Sequence, residues 1–388
     1  MIYLDNNATT RPSPRVVDAM LPYLNECYFN PSSSTAAFTG ADKPRGAAAA
    51  AMAKLLNAEE PDCFTFTSGA TESNNWVFSS ITKTYKTGTV LISAVEHASI
   101  FEPAAELARR GFKVIEIPVD QQGLLQLGAL HDALGEDTIL ISIIAANNET
   151  GVLQPLPEIG RLIRERSPSA LFHTDATQAV GKVKADLQGE WQDVDLASFS
   201  AHKFHGPKGI GGLYIRPGIE IPPILLGGGQ EEGRRSGTTN TPGLAGLAMA
   251  ATEWNPISTE SIADLRDQFE IELKKLFPEV QIHSVAAPRL PNTSCFSLAG
   301  TIGEELAATL AAQDIIVGTG SACASGAMHP PKTLLAMKVD YEIARAALRV
   351  SLNASTNIEQ ITKFLDHLLA ALSKSPALAE SKRFAFHK

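Results

Sequence analysis

Cysteine is scarce in this chain of 388 residues, and long apolar runs are missing. The four cysteines, Cys27, Cys63, Cys295 and Cys323, are scattered and form no Cys-x-x-Cys pair. This spacing argues against a disulfide framework or a zinc knuckle and suggests a reducing compartment. No stretch approaches the roughly 18 apolar residues of a membrane-spanning helix, and the first residues lack the basic and apolar regions of a secretory signal. We therefore expect a cytoplasmic protein with no membrane partner.

A surplus of positive charge is missing as well. The formal net charge is −9 at pH 7, which gives no reason to expect nucleic acid or an anionic membrane surface as a partner. His205, His283 and His329 receive no role, because no spacing of His and Cys in the sequence is typical of a metal site. The length leaves room for one large domain and a smaller one, each with its own core.

Short apolar segments alternate with helical patterns over most of the chain. The predicted strands of this part are residues 64–67, 89–93, 113–119, 138–146 and 170–174. Continuous apolar strands separated by helices predict an α/β fold with a doubly wound, mostly parallel sheet that is buried on both faces. Beyond about residue 255 the pattern changes to helices among short strands, which predicts a smaller α+β domain.

Cys323 lies in GTGSACASGAMHPPK (residues 318–332), a segment too rich in Gly, Ser and Pro for a helix or strand. A thiol on a mobile loop of small residues can be exposed and can move, unlike a buried structural cysteine. An incidental loop cysteine is the alternative.

Lys203 follows the predicted strand DVDLASFS at the start of a glycine-rich turn. A lysine in such a place is usually a solvated loop charge. Here Ser200 and His202 can bind an anion, and the glycines that follow let the backbone approach a ligand closely. A lysine at such a site can form a Schiff base with a carbonyl cofactor.

Two further segments supply what a pyridoxal phosphate site needs. In FTFTSGATESNNWVF (64–78) a strand leads through a turn into a helix, whose N-terminal N–H groups bind phosphate, with the hydroxyl of Thr71 beside them. In ALFHTDATQAVG (170–181) a strand ends in Asp175, where a carboxylate can pair with the pyridinium nitrogen. Each segment alone is weak evidence, since such turns are common and Asp175 could instead cap a helix that begins at Ala176.

Arg349 is isolated among apolar residues in AALRVSLN, on a predicted strand. A guanidinium there needs a partner, and the carboxylate of a substrate suits its two-pronged geometry. An internal Asp or Glu is the alternative partner.

Motifs of a known family recur in order along nearly the whole chain. They are YLDNNATT (3–10), NPSS (30–33), SGATESNN (68–75), EHAS (96–99), NNETG (147–151), DATQAVGK (175–182), SAHKFHGPKG (200–209), GGGQEEGRRSGTTN (227–240), GTGSACAS (318–325) and ARAALRVSLN (344–353). The chain thus resembles the cysteine desulfurases, pyridoxal-phosphate enzymes of the class V aminotransferase superfamily. The Gly-Ser-Ala-Cys context of Cys323 is similar to that of group I, the nitrogen-fixation and housekeeping iron–sulfur type.

The resemblance implies a fold-type I pyridoxal-phosphate transferase. Its large domain would span residues 14–255, and its small domain would combine residues 1–13 with 256–388. It also implies a homodimer, L-cysteine as substrate, and a sulfur-acceptor protein such as an iron–sulfur scaffold. We recognise no scaffold-docking tail in PALAESKRFAFHK at the C-terminus, so a tRNA-thiolation carrier and a rhodanese-like acceptor stay open.

Site roles follow from the same resemblance. Lys203 would hold the cofactor and move the α-proton, and Cys323 would take the sulfur as a persulfide and serve as a transient iron–sulfur ligand. Arg349 and Asn148 would bind the substrate, and His97 would stack on the cofactor ring and handle the thiol protons. The residues implied to bind the cofactor are Lys203, Ala70, Thr71, His97, Asn148, Asp175, Gln178, Ser200, His202 and, from the partner subunit, Thr238.

The residues themselves leave simpler readings open. A histidine at a strand end is more often structural, Asn147-Asn148 is typical of a turn, and Gln178 could lie on a helix surface. The competing functions are a selenocysteine lyase or a cystine C–S lyase with the same cofactor site, and a cofactor-binding interaction protein without activity.

Overall fold

The computed structural model describes residues 1–320 and 329–373. Its largest sheet has seven strands, which are, in spatial order, β2 (Phe64–Thr67), β8 (Gly211–Ile215), β7 (Leu196–Ser200), β6 (Leu171–Asp175), β5 (Thr138–Ser142), β3 (Thr89–Ser93) and β4 (Lys113–Ile117). The ladders from β4 to β7 are parallel, and β8 lies antiparallel between β7 and β2. The predicted mostly parallel sheet of an α/β fold is therefore confirmed.

Side chains alternate between the two faces of this sheet, as the period of two in a strand requires. On β3, Leu91 packs into one hydrophobic cluster while Val90 and Ile92 pack into another on the opposite face. On β5, Ile141 and Leu140 divide in the same way. The strands are thus apolar at consecutive positions because both faces of the sheet are covered.

Helices cover both faces of this sheet, and further helices pack in the last third of the chain. In chain order they are α1 (Pro14–Met20), α2 (Pro22–Asn25), α3 (Ala36–Thr39), α4 (Lys43–Leu56), α5 (Ala70–Thr84), α6 (Ala98–Arg109), α7 (Leu127–Ala133), α8 (Leu156–Arg166), α9 (Thr241–Glu253), α10 (Pro256–Leu276), α11 (Gly303–Ala311), α12 (Lys332–Ala336), α13 (Tyr341–Arg345) and α14 (Ile358–Ser373). Helices α5 and α6 pack on the face of Val90, and α4, α7, α8 and α9 on the other. In the described ranges no helix combines the length and the apolarity needed to cross a bilayer.

Several strand predictions differ in detail from the structure; the predicted strand 113–119, for example, ends at Ile117. The segment 64–67 forms β2 at the edge of the sheet, antiparallel to β8. The predicted strand 138–146 ends at Ser142, although the N–H of Ile143 still donates to the carbonyl of His173 at 3.0 Å. Where a strand pairs and where its ladder ends depend on the neighbouring segments, and a local apolar pattern does not carry that information.

The first residues of the chain pack with its last third. Strand β1 (Ile2–Leu4) runs parallel to β11 (Ile315–Val317), beside an antiparallel sheet of β9 (Gln281–Ile282), β10 (Thr293–Ser297) and β12 (Ala347–Ser351). Leu4 shares a buried cluster with Phe296 of β10, Phe269 of α10 and Phe364 of α14. The domain limits at residues 14 and 255 stay a prediction.

Candidate active site

The carboxyl ends of β6 and β7 bring two predicted residues together. Asp175 ends β6 and Ser200 ends β7, and these two strands are neighbours in the sheet. Asp175 is buried; its Oδ2 accepts a hydrogen bond from Nδ2 of Asn74 at 2.8 Å, and its Oδ1 accepts one from the N–H of Thr177 at 3.0 Å. The residues after Asp175 form a turn and not a helix, so a helix-capping role does not apply.

The turn that is predicted to bind phosphate contacts Ser200. The N–H of Ala70, the first residue of α5, donates to Oγ of Ser200 at 2.7 Å, and Thr71 is exposed in the first turn of that helix. Gly69 before it has φ +155°, and a Cβ there would lie 3.2 Å from the same Oγ. A side chain at position 69 would therefore be both strained and crowded, and its absence leaves the helix N-terminus open to an anion.

His97 lies at the end of the loop after β3. It caps α6, with the N–H of Ser99 donating to its Nδ1 at 3.1 Å, and its side chain is exposed. The neighbouring Glu96 is buried; its Oε1 accepts from Oγ of Ser93 at 2.6 Å and from the N–H of Ile144 at 2.7 Å. Burial raises the pKa of Glu96 to about 8, since these hydrogen bonds offset only part of the desolvation. We call Asn74, Glu96, His97, Asp175 and Ser200 the sheet edge.

Lys203 faces the N-terminal segment. It ends a short 3-10 turn after β7, and its Nζ donates to the carbonyl oxygens of Asn7 and Ala8, each at 2.8 Å. Burial, with a further contribution from the positive charge of Arg349, lowers the pKa of Lys203 to about 8. Its amine is therefore available as a neutral nucleophile or base close to neutral pH.

Arg349 has an internal acid beside it. Its Nη2 pairs with Oδ1 of Asp5 at 2.5 Å, and its Nη1 donates to the carbonyl of Asn148 at 2.8 Å. Its Nε has no hydrogen-bond partner among the described residues. A Cβ on Gly318 would lie 2.7 Å from both Nη2 and Oδ1 of the pair. The alternative partner considered from the sequence thus exists, while the buried Nε has no partner among the described residues.

Gln178 and Lys182 complete this side of the site. Nε2 of Gln178 donates to the carbonyl of Asn7 at 2.9 Å, and its Oε1 accepts from Nζ of Lys182. We call Asp5, Asn7, Gln178, Lys182, Lys203 and Arg349 the N-terminal seam. It joins the first residues of the chain to β12 and to the turns after β6 and β7.

The remaining predicted residues are less closely connected. His202 has its Nδ1 3.1 Å from Oγ1 of Thr9, and burial lowers the pKa of His202 to about 4. Thr238 is exposed. Asn148 contacts the site through its backbone carbonyl, as described above. Cys323 lies outside the described residues.

Five residues at the site received no role from the sequence: Asp5, Asn7, Asn74, Glu96 and Lys182. Each stands inside a family motif, in YLDNNATT, SGATESNN, EHAS or DATQAVGK. Their positions in these motifs were the available signal, but only the folded structure shows their partners.

The donor set fits the pyridoxal phosphate that the resemblance implies. It offers a lysine with a lowered pKa, a buried carboxylate at a strand end, and a helix N-terminus left open by Gly69. Within residues 1–320 and 329–373 no cluster of three or more His, Cys, Asp or Glu is arranged to hold a metal ion.

Comparisons with known proteins cover nearly the full length. The aminotransferase class-V family model matches residues 2–364. The chain is 39% identical over 380 residues to the cysteine desulfurase IscS of Clostridium botulinum, covering 96% of this chain and 94% of the relative. A solved NifS-like protein superposes with a TM-score of 0.88 at 37% identity, covering 96% of this chain and 99% of that one. The structure of SspA in complex with cysteine superposes with a TM-score of 0.79 at 29% identity, covering 92% and 100%.

Proposed function

Because the chain belongs to the aminotransferase class-V family, we propose that it is a pyridoxal-phosphate-dependent cysteine desulfurase. It converts L-cysteine to L-alanine and retains the sulfur on one of its own cysteines. The observation that carries the proposal is the placement of Asp175 at the end of β6 and of Lys203 in the turn after the neighbouring β7, in a chain that matches a cysteine desulfurase over 96% of its length. None of the similar proteins above is named as a lyase, so the lyase alternative gains no support.

Lys203 would bind the cofactor through its carbonyl group, and Asp175 would pair with the pyridinium nitrogen. When bound, pyridoxal phosphate serves as an electron sink for the bond broken at the substrate's α-carbon. Hydrogen bonds from Asn74 and from the N–H of Thr177 fix the orientation of the Asp175 carboxylate. Ser200, the N–H of Ala70 and Thr71 would receive the phosphate, joined by His202 and by Thr238 of the second subunit.

Lys203 would also move the α-proton. A base works best when its pKa lies close to the working pH, and burial brings the pKa of Lys203 to about 8. The carbonyls of Asn7 and Ala8 hold the amine when it is not bonded to the cofactor. The substrate carboxylate would bind the guanidinium of Arg349, next to Asn148.

Cys323 would be the sulfur acceptor. Its thiolate attacks the sulfur of L-cysteine, the carbon–sulfur bond breaks, and the electron pair stays on the carbon. That carbon takes a proton as L-alanine forms, and the attacking cysteine keeps the extra sulfur as a persulfide. His97 would exchange protons with the thiols as a general acid and base.

Two of the other cysteines are poor candidates for this step. Burial raises the pKa of Cys295 to about 12, and burial also raises the pKa of Cys63. The thiolate is the reactive form, so neither supplies a nucleophile at neutral pH. This supports Cys323, which the sequence places among small residues.

A homodimer is part of the proposal. The segment from α1 to α3 exposes a run of large apolar side chains: Val17, Leu21, Leu24, Tyr28, Phe29 and Phe38. Phe38 is 91% exposed and Leu226 is 85% exposed. Leu226 directly precedes the segment 227–240, which carries Thr238. Apolar surface of this kind favours a partner, and a second copy would cover it while bringing Thr238 to the neighbouring site.

The physiological setting belongs to the proposal as well. We propose a cytoplasmic enzyme that delivers its persulfide sulfur to an acceptor protein such as an iron–sulfur scaffold. Similarity over 96% of this chain to a relative named cysteine desulfurase IscS supports the sulfur-donating role.

Product analysis tests the proposed function. The purified protein, loaded with pyridoxal phosphate and given L-cysteine and a reductant, should release alanine and sulfide in equal amounts. Pyruvate and ammonia in place of alanine would instead identify a lyase. No product at all would favour a binding protein without activity.

A further inference from the structure

Lys182 is a buried lysine beside the site that the proposed function does not use. Its side chain is packed in the N-terminal seam, and only 9% of the residue is exposed. Its Nζ donates to Oδ1 of Asn7 at 2.9 Å and to Oε1 of Gln178. In the described part of the chain no carboxylate forms a salt bridge with it. The amine is therefore held by two neutral amide oxygens.

The charges around Lys182 disfavour its protonated form. Burial lowers the pKa of Lys182 well below its usual value, and the positive charges of Lys203 and Arg349 lower it further, against Asp5. A neutral amine carries two N–H groups. These match the two amide oxygens that it contacts, so the neutral form satisfies both hydrogen bonds.

Asn7 links this amine to Lys203. The backbone carbonyl of Asn7 accepts from Nζ of Lys203 at 2.8 Å and from Nε2 of Gln178 at 2.9 Å. Lys182 donates to the side-chain oxygens of Asn7 and Gln178, which are Oδ1 and Oε1 respectively. The four side chains form one connected network around that carbonyl.

The other bonds of the Asn7 side chain are fixed by the frame of the molecule. Its Oδ1 also accepts from Nδ2 of Asn292 at 3.1 Å, and its Nδ2 donates to Oγ1 of Thr293 at 2.9 Å and to the carbonyl of Asn148 at 3.2 Å. Gln178, by contrast, has its Oε1 oriented by Lys182. Without that donor the amide of Gln178 is free to turn and leave the carbonyl of Asn7.

We propose that Lys182 is a positioning residue for Lys203. Its amine orients the amide of Gln178, which in turn holds the carbonyl oxygen of Asn7 on which the amine of Lys203 rests. This inference relies on the proposed function only for the importance of Lys203. It concerns the chain without cofactor, where Lys203 has a free amine.

The test measures the titration of Lys203 directly. The full-length apoprotein is acetylated with acetic anhydride at a series of pH values, and mass spectrometry of the peptide that carries Lys203 gives its reactivity. Loosening an acceptor of the Lys203 ammonium disfavours the charged form, so Lys182→Met should lower the pKa of Lys203 by about 0.5 to 1, the worth of one hydrogen bond. Lys184→Met is the matched control and should change nothing, because Lys184 is exposed and pairs with Asp186.

The direction of the change separates positioning from charge. Asp5, Asp175 and Arg349 also act on Lys203, and all three stay in place in both variants. A rise in the pKa of Lys203 would mean that Lys182 acts through a positive charge. An unchanged pKa would mean that it only fills space. Either result overturns the proposal.

A second variant covers the case in which Lys182→Met does not fold. Lys182→Gln keeps a neutral N–H donor on a shorter side chain, and should lower the pKa of Lys203 in the same direction by less. A Lys203 profile identical to that of the Lys184→Met control would overturn the proposal here too. The acetylation needs neither cofactor nor substrate, so its outcome is independent of whether the chain converts L-cysteine.

Discussion

The sheet edge and the N-terminal seam both bring together residues that are distant in sequence, but different parts of the fold are responsible. At the sheet edge, Asp175 and Ser200 come from adjacent strands and contact α5, the helix that follows β2. In the seam, Asp5 contacts a residue 344 positions away, and Asn7 contacts one 196 positions away. The sheet edge is thus set by the strand order, whereas the seam exists only once the first residues of the chain have packed against β12 and the turns after β6 and β7.

The two regions also respond to burial with opposite signs. At the sheet edge burial raises the pKa of Glu96 to about 8, and in the seam burial lowers the pKa of Lys203 to about 8. In both cases the neutral form is favoured, because a low-dielectric surrounding penalises charge of either sign. The site therefore combines a protonated acid on one side with readily deprotonated amines on the other.

Loss of Lys203 should have the largest effect. Lys203→Ala should lower turnover by at least ~10²–10⁴-fold, the usual contribution of a positioned acid–base group, and should leave no borohydride-reducible adduct with the cofactor. Peptide mapping after reduction locates the adduct in the wild type. Lys208→Ala, a change at an exposed lysine five positions on, is the control and should keep both activity and adduct. An adduct on Lys208 would show that the seam lysine has been assigned wrongly.

Arg349 tests whether the seam binds substrate or only itself. Arg349→Lys keeps the charge but loses the two-pronged donor set, so KM for L-cysteine should rise about 10- to 100-fold while cofactor absorbance changes little. Asp5→Asn removes the internal acid and should leave KM at or below the wild-type value.

The alternative for Arg349 and Asp5, an internal ion pair without a role in binding, predicts a different result. If Arg349 serves only as the partner of Asp5, both variants lower the thermal stability by similar amounts, and neither changes KM. That outcome would restrict the seam to a structural role.

The smallest effect is on the pH dependence of stability, and it should differ in sign between the two regions. Glu96 has a folded pKa of about 8 against 4.5 unfolded, so the wild type loses stability as pH rises through that window. Lys203 has a folded pKa of about 8 against 10.5, so the wild type gains stability as pH rises from about 8 to 10.5.

Urea unfolding of the apoprotein across both windows checks this. Relative to the wild type, Glu96→Gln should become progressively more stable between about pH 4.5 and 8. The relative stability of Lys203→Met should fall between about pH 8 and 10.5. Difference curves that stay flat for both variants would contradict the opposing pKa shifts.

The sheet edge was largely predictable from the sequence, because its signals are local. An apolar run that ends in Asp175, and another that ends in Ser200, place both residues at strand ends without knowledge of the strand order. The position of β2 as an outermost strand of the sheet was not predictable, since FTFT has the composition of any buried strand.

The seam was predictable only in part. The isolation of Arg349 among apolar residues indicated that it needs a partner, but Asp5 lies at the other end of the chain. Lys182 looked like a motif residue of no stated role, and its burial between two amides depends on contacts with Asn7. Contacts over such separations depend on the completed fold, which periodicity and turn signals do not describe.

The most direct test of the account is the location of the transferred sulfur. The cofactor-loaded protein is incubated with L-cysteine without reductant, digested, and each cysteine-containing peptide is examined by mass spectrometry. The account predicts one additional sulfur on the peptide that carries Cys323, none on those of Cys63 and Cys295, and no alanine from Cys323→Ala. Alanine formation by Cys323→Ala at the wild-type rate, with no extra sulfur on the wild-type Cys323 peptide, would contradict it.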